Sequence, residues 1–261
     1  MKAAVEAATH TNASAIRNGR IGFIAFIVAS LAFATASRAD DPPPGLIKRI
    51  VARETETERA QSNYTYQQTV TVEEFDPRNM KTGEYREVRD IIFSPRHERT
   101  EQLIGTPRNS LVRMKMTDED FRDLREVQPF LLTSEQAFLY ETKFRGEETI
   151  DGIDCWVVQI RPRQILDKQR LFDGLIWVDK SDFSIIRNEG EAVPQIRTTH
   201  VENLFPRFRT VREKVDGFWF PKITLGDDRL QFKTGPQRMR LSIGYTRYKR
   251  FGAESKITFE K

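Results

Sequence analysis

The sequence has 261 residues, of which 31% are charged and 38% hydrophobic, and its formal net charge is +4. Most of that excess lies in the first 39 residues, so residues 40–261 hold almost equal numbers of basic and acidic side chains. This balance excludes the strongly basic composition of a nucleic-acid-binding domain, and we predict no nucleic-acid partner. Cys155 is the single cysteine, which excludes an internal disulfide and predicts a buried, inert thiol.

An uncharged run, residues 21–36 (IGFIAFIVASLAFATA), follows a basic flank at the N-terminus. It is short for a bilayer crossing, which takes about 20 residues of helix. The pattern is typical of a secretory signal peptide, with small residues at two cleavage positions, after Ala36 and after Ala39. We therefore predict a signal peptide over residues 1–39, one domain over residues 40–261 and a periplasmic location. An uncleaved membrane anchor is the alternative.

The chain then predicts a first helix. Leu46, Ile47, Ile50 and Val51 recur at helical spacing, and the helix is expected to end at residue 61, before Asn63.

A second helix is predicted near Thr117. The Thr117 hydroxyl can accept the backbone N–H of Asp120, and the carboxylate of Asp120 can answer as the acid three residues on. Phe121 and Leu124 then share one face, and Pro129 ends the segment.

The rest of the chain carries strand patterns. Tyr64, Tyr66, Val70 and Val72 alternate with polar residues, which is the period of a sheet with one buried face. Turns that contain glycine are predicted at 151–152, 173–174, 216–217 and 226–227. Further strands are predicted at 86–94, 99–104, 138–145, 153–161, 171–178, 183–189, 197–204, 208–215, 219–225, 229–234, 238–250 and 255–260.

So many antiparallel strands must curl or split into layers. The predicted fold is mainly β, of the α+β type. It is a large curved antiparallel sheet, or an unclosed β-barrel of about 10–12 strands, with a few helices covering the open side.

The sequence offers no catalytic signature. His97 and His200 are the only histidines after residue 39, and neither has a second ligand at metal-binding spacing. No nucleophile elbow, dinucleotide-binding glycine motif or phosphate-binding loop is present. We therefore predict no catalytic residues, no metal and no cofactor; a hydrolase built on carboxylates that converge only in space is the remaining enzyme hypothesis.

Large apolar side chains at alternating strand positions are the feature that bears on function. Trp156 and Val158 share one face of a strand, and Trp177 lies on the face opposite Ile176 and Val178. A curved sheet with this lining encloses either a packed core or a hydrophobic cavity. The candidates for cavity lining are Phe130, Leu131, Phe138, Tyr140, Trp156, Val158, Trp177 and Trp219.

The order of segments resembles the outer-membrane lipoprotein-sorting (LolA/LolB-like) superfamily of periplasmic proteins. The resemblance rests on a secretory signal, an amphipathic first helix, a strand opening with residues 64–66 (YTY) and the phrase SPRHER at 94–99. It continues with a helical insertion and the paired phrases GIDCWVV at 152–158 and GLIWVD at 174–179. It spans roughly residues 45–260.

This resemblance implies an unclosed antiparallel barrel covered by helices, with a hydrophobic cavity that shields acyl chains. It also implies that an arginine near the strand–proline segment helps to hold the lid shut, and Arg96 and Arg99 lie near that place. The first functional hypothesis is accordingly a non-enzymatic periplasmic binder or chaperone-like carrier of lipoprotein acyl chains or another amphiphile.

A second hypothesis rests on charge. Residues 196–261 hold 15 basic and 7 acidic side chains, so the C-terminal strands form a basic end. This end could meet a membrane-associated protein partner. The protein would then be a periplasmic regulatory or scaffolding domain without a ligand cavity.

Overall fold

A computed structural model describes residues 42–94, 98–126, 129–165, 170–197 and 202–251. The predicted leader and the strand predicted at 255–260 lie outside these residues. The two helices are α1 (Leu46–Gln61) and α2 (Asp118–Glu126). The strands are β1 (Tyr64–Phe75), β2 (Lys81–Phe93), β3 (Arg99–Leu103), β4 (Arg108–Asn109), β5 (Tyr140–Ile150), β6 (Ile153–Pro162), β7 (Leu171–Asp179), β8 (Ile185–Val193), β9 (Ile196–Arg197), β10 (Glu202–Asn203), β11 (Phe208–Val215), β12 (Phe218–Phe232) and β13 (Gly235–Arg250).

Eleven of these strands form one antiparallel sheet. Its order is β3-β2-β1-β13-β12-β11-β8-β7-β6-β5, with β4 paired to β2, and β9 and β10 form a separate ribbon. The first and last strands, β1 and β13, lie side by side in the sheet. The edge strands β3 and β5 do not pair with each other, so the sheet is not closed. The predicted mainly β fold, with a large unclosed antiparallel sheet and few helices, is confirmed.

Both helices were located correctly from the sequence. α1 begins after Gly45, which has a left-handed backbone (φ 72°), and it buries Leu46, Ile50, Glu54 and Thr57 along one stripe. α2 begins at the predicted cap. The backbone N–H of Thr117 donates to the Asp120 carboxylate over 2.7 Å, and the N–H of Asp120 donates to the Thr117 hydroxyl over 3.3 Å.

One face of the sheet carries two apolar clusters. Phe208 pairs in register with Gly226, and Gly226 pairs with Leu241, so residues of both clusters lie on the same face. The first cluster packs under α1 and contains Leu46, Ile50, Phe130, Leu132, Tyr140, Trp156, Val158, Ile160, Leu171, Phe172, Ile176, Val178, Ile185, Ala192 and Phe208. The second packs under α2 and contains Tyr66, Val70, Val72, Tyr85, Ile91, Leu124, Leu204, Phe205, Leu230, Met239, Leu241, Ile243 and Tyr245.

Two of the four predicted glycine turns are present. Asp151 and Gly152 have positive φ (52° and 80°), as do Asp216 and Gly217 (47° and 88°), and each pair forms a tight hairpin turn.

The turns predicted at 173–174 and 226–227 are wrong, because both glycines lie inside strands. A Cβ on Gly174 would lie 2.3 Å from the Glu189 carbonyl oxygen and 2.6 Å from the Phe172 ring, so this glycine serves a close approach between β7 and β8. Gly226 lies inside β12, which therefore runs without interruption where two strands were predicted.

The strand predicted at 197–204 is also absent from the main sheet. Its described residues form the short ribbon of β9 and β10, in which Ile196 pairs with Asn203. Asn203 faces inward and bonds to the α2 region instead of to a sheet neighbour.

Candidate functional site

A cavity of about 990 Å³ lies between the sheet and the α2 side of the molecule. This volume is at the upper end of the range for small-molecule and cofactor sites. Val72, Met239 and Leu241 form its floor on the central strands β1 and β13. Its other walls are residues 113–117, α2 through Asp120 and Leu124, residues 202–205, and the turn between β12 and β13.

The wall at residues 113–117 belongs to a segment, residues 111–117, which we call the strap, and Glu74 fastens this segment to the sheet. The Glu74 side chain is fully buried, and its carboxylate accepts the backbone N–H groups of Val112, Arg113 and Met114 over 2.8, 2.9 and 3.1 Å. Three donors on one carboxylate offset the cost of its burial. Glu74 thereby fixes the direction in which successive strap side chains point.

The strap crosses β2 at a glycine. A Cβ on Gly83 would lie 2.4 Å from the Ser110 carbonyl oxygen, 2.8 Å from the Glu74 carboxylate and 2.9 Å from the Leu111 Cα. No side chain fits there without moving the strap. This contact and the Glu74 bonds hold the strap against the sheet at the cavity edge.

The α2 wall and the 202–205 wall are joined by a buried polar network. Asn203 donates from Nδ2 to the Thr117 hydroxyl over 3.0 Å and to the Asp120 carboxylate over 3.1 Å. Arg170 donates to the Asn203 carbonyl over 2.6 Å and forms an ion pair with Asp123 of α2. Burial raises the pKa of Asp120, although the bonds from Thr117 and Asn203 oppose the increase.

Hydrogen bonds also hold residues 202–205 and the turn between β12 and β13. Gln195 and Phe205 exchange side chain–backbone hydrogen bonds of 3.0 and 3.1 Å. The Glu202 carboxylate accepts the backbone N–H of Lys233 in the β12–β13 turn over 3.0 Å and lies 3.6 Å from Arg197. Polar contacts therefore hold the rim while apolar side chains line the interior.

The lining is rich in methionine. Met114, Met116 and Met239 are three of the five methionines in the sequence, and all three line the cavity. Methionine is flexible and polarizable, and it adapts to apolar partners of varied shape. Leu204, Phe205, Phe232 and Leu241 complete an apolar surface that suits a hydrocarbon chain.

Sequence reasoning missed the residues of this cavity, although two signals were present. Arg113-Met114-Lys115-Met116 alternates charged and apolar residues outside any strand. In β1 the alternation that buries Val70 and Val72 continues to Glu74, which places a charge on the buried face.

The eight predicted cavity residues do not line this cavity, and they do not share one surface. Phe130, Tyr140, Trp156 and Val158 are buried in the first cluster under α1. There Phe130 packs edge-on to Tyr140, with ring centroids 5.6 Å apart, and Trp156 stacks on Phe183 over 5.0 Å.

The other four lie elsewhere. Leu131 is half-buried, and Phe138 is 69% exposed beside a smaller pocket of about 280 Å³. Trp177 and Trp219 belong to a third cluster, which includes Cys155 and Val157 on the opposite face of the sheet. Burial and the nearby acidic groups raise the pKa of the Cys155 thiol to about 11.

Of the two predicted lid-latch arginines, Arg96 lies outside the described residues. Arg99 opens the edge strand β3, where it pairs with Glu101. An arginine that does tie α1 to the sheet is Arg212 of β11. It donates to both carboxylate oxygens of Glu54, over 2.9 and 3.1 Å, and to the Phe130 carbonyl over 2.5 Å.

No family model matches the sequence, and no curated protein matches it. Solved structures similar to this chain include a DUF1329 family protein from Desulfovibrio piger, with 14% identity over 84% of this chain and 95% of that chain and a TM-score of 0.39. They also include a LolA superfamily protein from Nitrosomonas europaea, with 15% identity over 80% and 97% and a TM-score of 0.35.

An outer membrane lipoprotein-sorting protein domain from Vibrio parahaemolyticus is also similar, with 11% identity over 78% of this chain and 93% of that chain and a TM-score of 0.35. The descriptions of two of these structures name the LolA superfamily or outer-membrane lipoprotein sorting. With identities of 15% or less, the similarity concerns the fold alone.

Two further findings concern the described residues only. They contain no group of three or more His, Cys, Asp or Glu side chains placed to hold a metal ion. None of their helices is both long and apolar enough to cross a membrane.

Proposed function

We propose that this protein is a non-enzymatic periplasmic carrier that shelters the hydrocarbon part of a lipoprotein or another amphiphile in the cavity under the strap. The single observation that carries the proposal is a cavity of about 990 Å³ lined by flexible apolar side chains. Each methylene that leaves water contributes about 0.8 kcal/mol. A chain of ordinary length therefore gains enough from burial to leave the aqueous phase.

The construction of the walls supports the proposal. The interior under α1 is filled by aromatic and aliphatic side chains, whereas the space under α2 is bounded by a strap and two short segments. Such walls bury less apolar surface than the strands do, and they are the elements that open at low cost. The interior thus combines a packed half that stabilises the fold with a half that can admit a ligand.

The alternative, a domain that binds a protein through its basic C-terminal strands, has weaker support. Arg238 and Arg240 both pair with Asp227 on the outer side of β12, and Arg240 also pairs with Glu73. Much of the basic charge in these strands is therefore already balanced within the sheet.

Filling the cavity tests the proposal. Met116→Trp adds bulk at a half-buried position on the strap, and we expect it to weaken binding of a fluorescent fatty acid at least about tenfold, because the new ring occupies the space of the chain. Met80→Trp is the matched control, since Met80 is 65% exposed in the β1–β2 turn and does not line the cavity.

The full chain and both variants would be exported to a bacterial periplasm, purified there and assayed by probe titration and by native mass spectrometry with lipid extraction. Co-purified lipid that the probe displaces, with reduced binding only in Met116→Trp, is the expected result. A wild-type protein that carries no lipid and binds no probe would overturn the carrier proposal. Salt-sensitive association with a protein would then favour the alternative.

A further inference from the structure

Charged and apolar side chains alternate along the strap. Arg113 and Lys115 are exposed, whereas Met114 and Met116, which alternate with them, are half-buried and line the cavity. This alternation is set by Glu74, which holds the backbone N–H groups at the start of the strap. Two cations therefore stand at the edge of the cavity, next to the side chains that line its interior.

The acidic and basic side chains at this edge differ in whether they have partners within the walls. Among the residues that line the cavity, Asp120 and Glu202 are the acids and Arg113 and Lys115 the bases. Asp120 accepts hydrogen bonds from Thr117 and Asn203, and Glu202 from the Lys233 backbone.

Both acids are thus engaged within the walls. By contrast, no ion pair joins Arg113 or Lys115 to another residue in the described part of the chain. The cavity edge therefore presents two unpaired positive side chains.

We propose that the amphiphile in the cavity carries an anionic headgroup, a phosphate or a carboxylate, which Arg113 and Lys115 bind at the cavity edge. The hydrocarbon chain then lies against Met114 and Met116. This assignment rests on the proposed function. Arginine binds phosphate and carboxylate with two parallel hydrogen bonds, and lysine adds a compact charge. The two cations are exposed in the free protein, so binding the headgroup requires no ion pair to break. The exposed side of the strap thereby binds the headgroup, and its half-buried side contacts the hydrocarbon chain.

The test compares two ligands that differ only in the head. Lysophosphatidylglycerol is anionic and lysophosphatidylcholine zwitterionic, and both would be used with the same acyl chain. The full chain purified from the periplasm would be delipidated and titrated with each by competition against a fluorescent fatty acid. Glycerophosphoglycerol, which is the same anionic head without a chain, forms a third arm.

The variant Arg113→Ser/Lys115→Ser removes both cations. Lys143→Ser/Arg145→Ser is the matched control, because this pair has the same spacing and charge, is exposed on edge strand β5 and lies outside the cavity lining. We expect the wild type to favour the anionic lipid by about five- to tenfold, as two exposed charge contacts allow. The strap variant should lose this preference and keep its affinity for the zwitterionic lipid, and the control should behave as the wild type does.

The outcomes separate the two proposals. Equal binding of both lipids by the wild type, or a preference that survives in the strap variant, would overturn the headgroup assignment while leaving the carrier proposal in place. Tight binding of glycerophosphoglycerol alone would show a site for a free anion and would also overturn it. If neither lipid binds, the carrier proposal itself fails, and the headgroup assignment fails with it.

Discussion

Glu54 and Arg212 form an ion pair in which both side chains are almost completely buried. The Glu54 carboxylate also accepts the backbone N–H of Ile185 over 3.0 Å, so the pair joins α1 to β8 and β11. Burial raises the pKa of Glu54, and the charge of Arg212 acts against that increase. Buried pairs of this kind cost desolvation energy, but breaking one leaves a charge without compensation.

The first prediction concerns this pair. Glu54→Gln leaves the Arg212 charge buried without its counter-ion, so the free energy of unfolding should fall by about 3–5 kcal/mol. Glu56→Gln on the same helix is the control. It breaks only the exposed pair with Arg53 and should cost less than about 0.5 kcal/mol. Urea denaturation of both variants measures the difference, and equal small losses would contradict the role of Glu54.

At the scale of elements, the strap is positioned by two residues whose role could not be predicted from the sequence. Gly83 lies in a strand, where a glycine normally weakens the sheet, and Glu74 occupies a position where the alternation of β1 expects an apolar side chain. Both exceptions are explained by the strap that lies over them. A break in local preference thus marks the place where a distant segment packs against the strand.

Substitution of Gly83 tests this arrangement. Gly83→Ala would place a Cβ 2.4 Å from the Ser110 carbonyl oxygen, so the strap must shift. We expect a loss of about 1–3 kcal/mol in stability together with weaker binding of the fatty-acid probe. In Gly244→Ala the new Cβ meets nothing within 4 Å, so this control should retain both properties. Calorimetry and probe titration measure them, and a Gly83→Ala protein with normal lipid binding would refute the positioning of the strap.

Local pattern predicted most of the elements, because helix caps and strand alternation are encoded within a few residues. The bounds of α1, the Thr117–Asp120 cap and the buried face of β1 follow from such patterns. Gly174 and Gly226 were misread as turns because the same residue serves a turn with positive φ and a close approach between strands, and only the register distinguishes the two cases.

For the whole molecule, the sheet carries two apolar clusters on one face, and they differ in how they are covered. α1 closes the first with a helix that is anchored by a buried ion pair. The second is closed by the strap, α2 and residues 202–205, and the large cavity lies there. The aromatic residues that suggested a ligand site lie mostly in the first cluster or on the opposite face. The sequence shows at which strand positions large apolar side chains alternate. It does not show which half of the sheet is covered by a packed core and which half borders a cavity.

The most direct test of the central claim is to locate a bound chain by photo-crosslinking. The full chain purified from the periplasm would be loaded with a fatty acid that carries a photoreactive group near its terminal methyl, irradiated, digested and mapped by mass spectrometry. The structure predicts crosslinks on the peptides that contain Met114, Met116 and Met239, which line the cavity. Crosslinks confined to the peptides of Trp156 and Tyr140, or none above those of a denatured control, would contradict a ligand site under the strap.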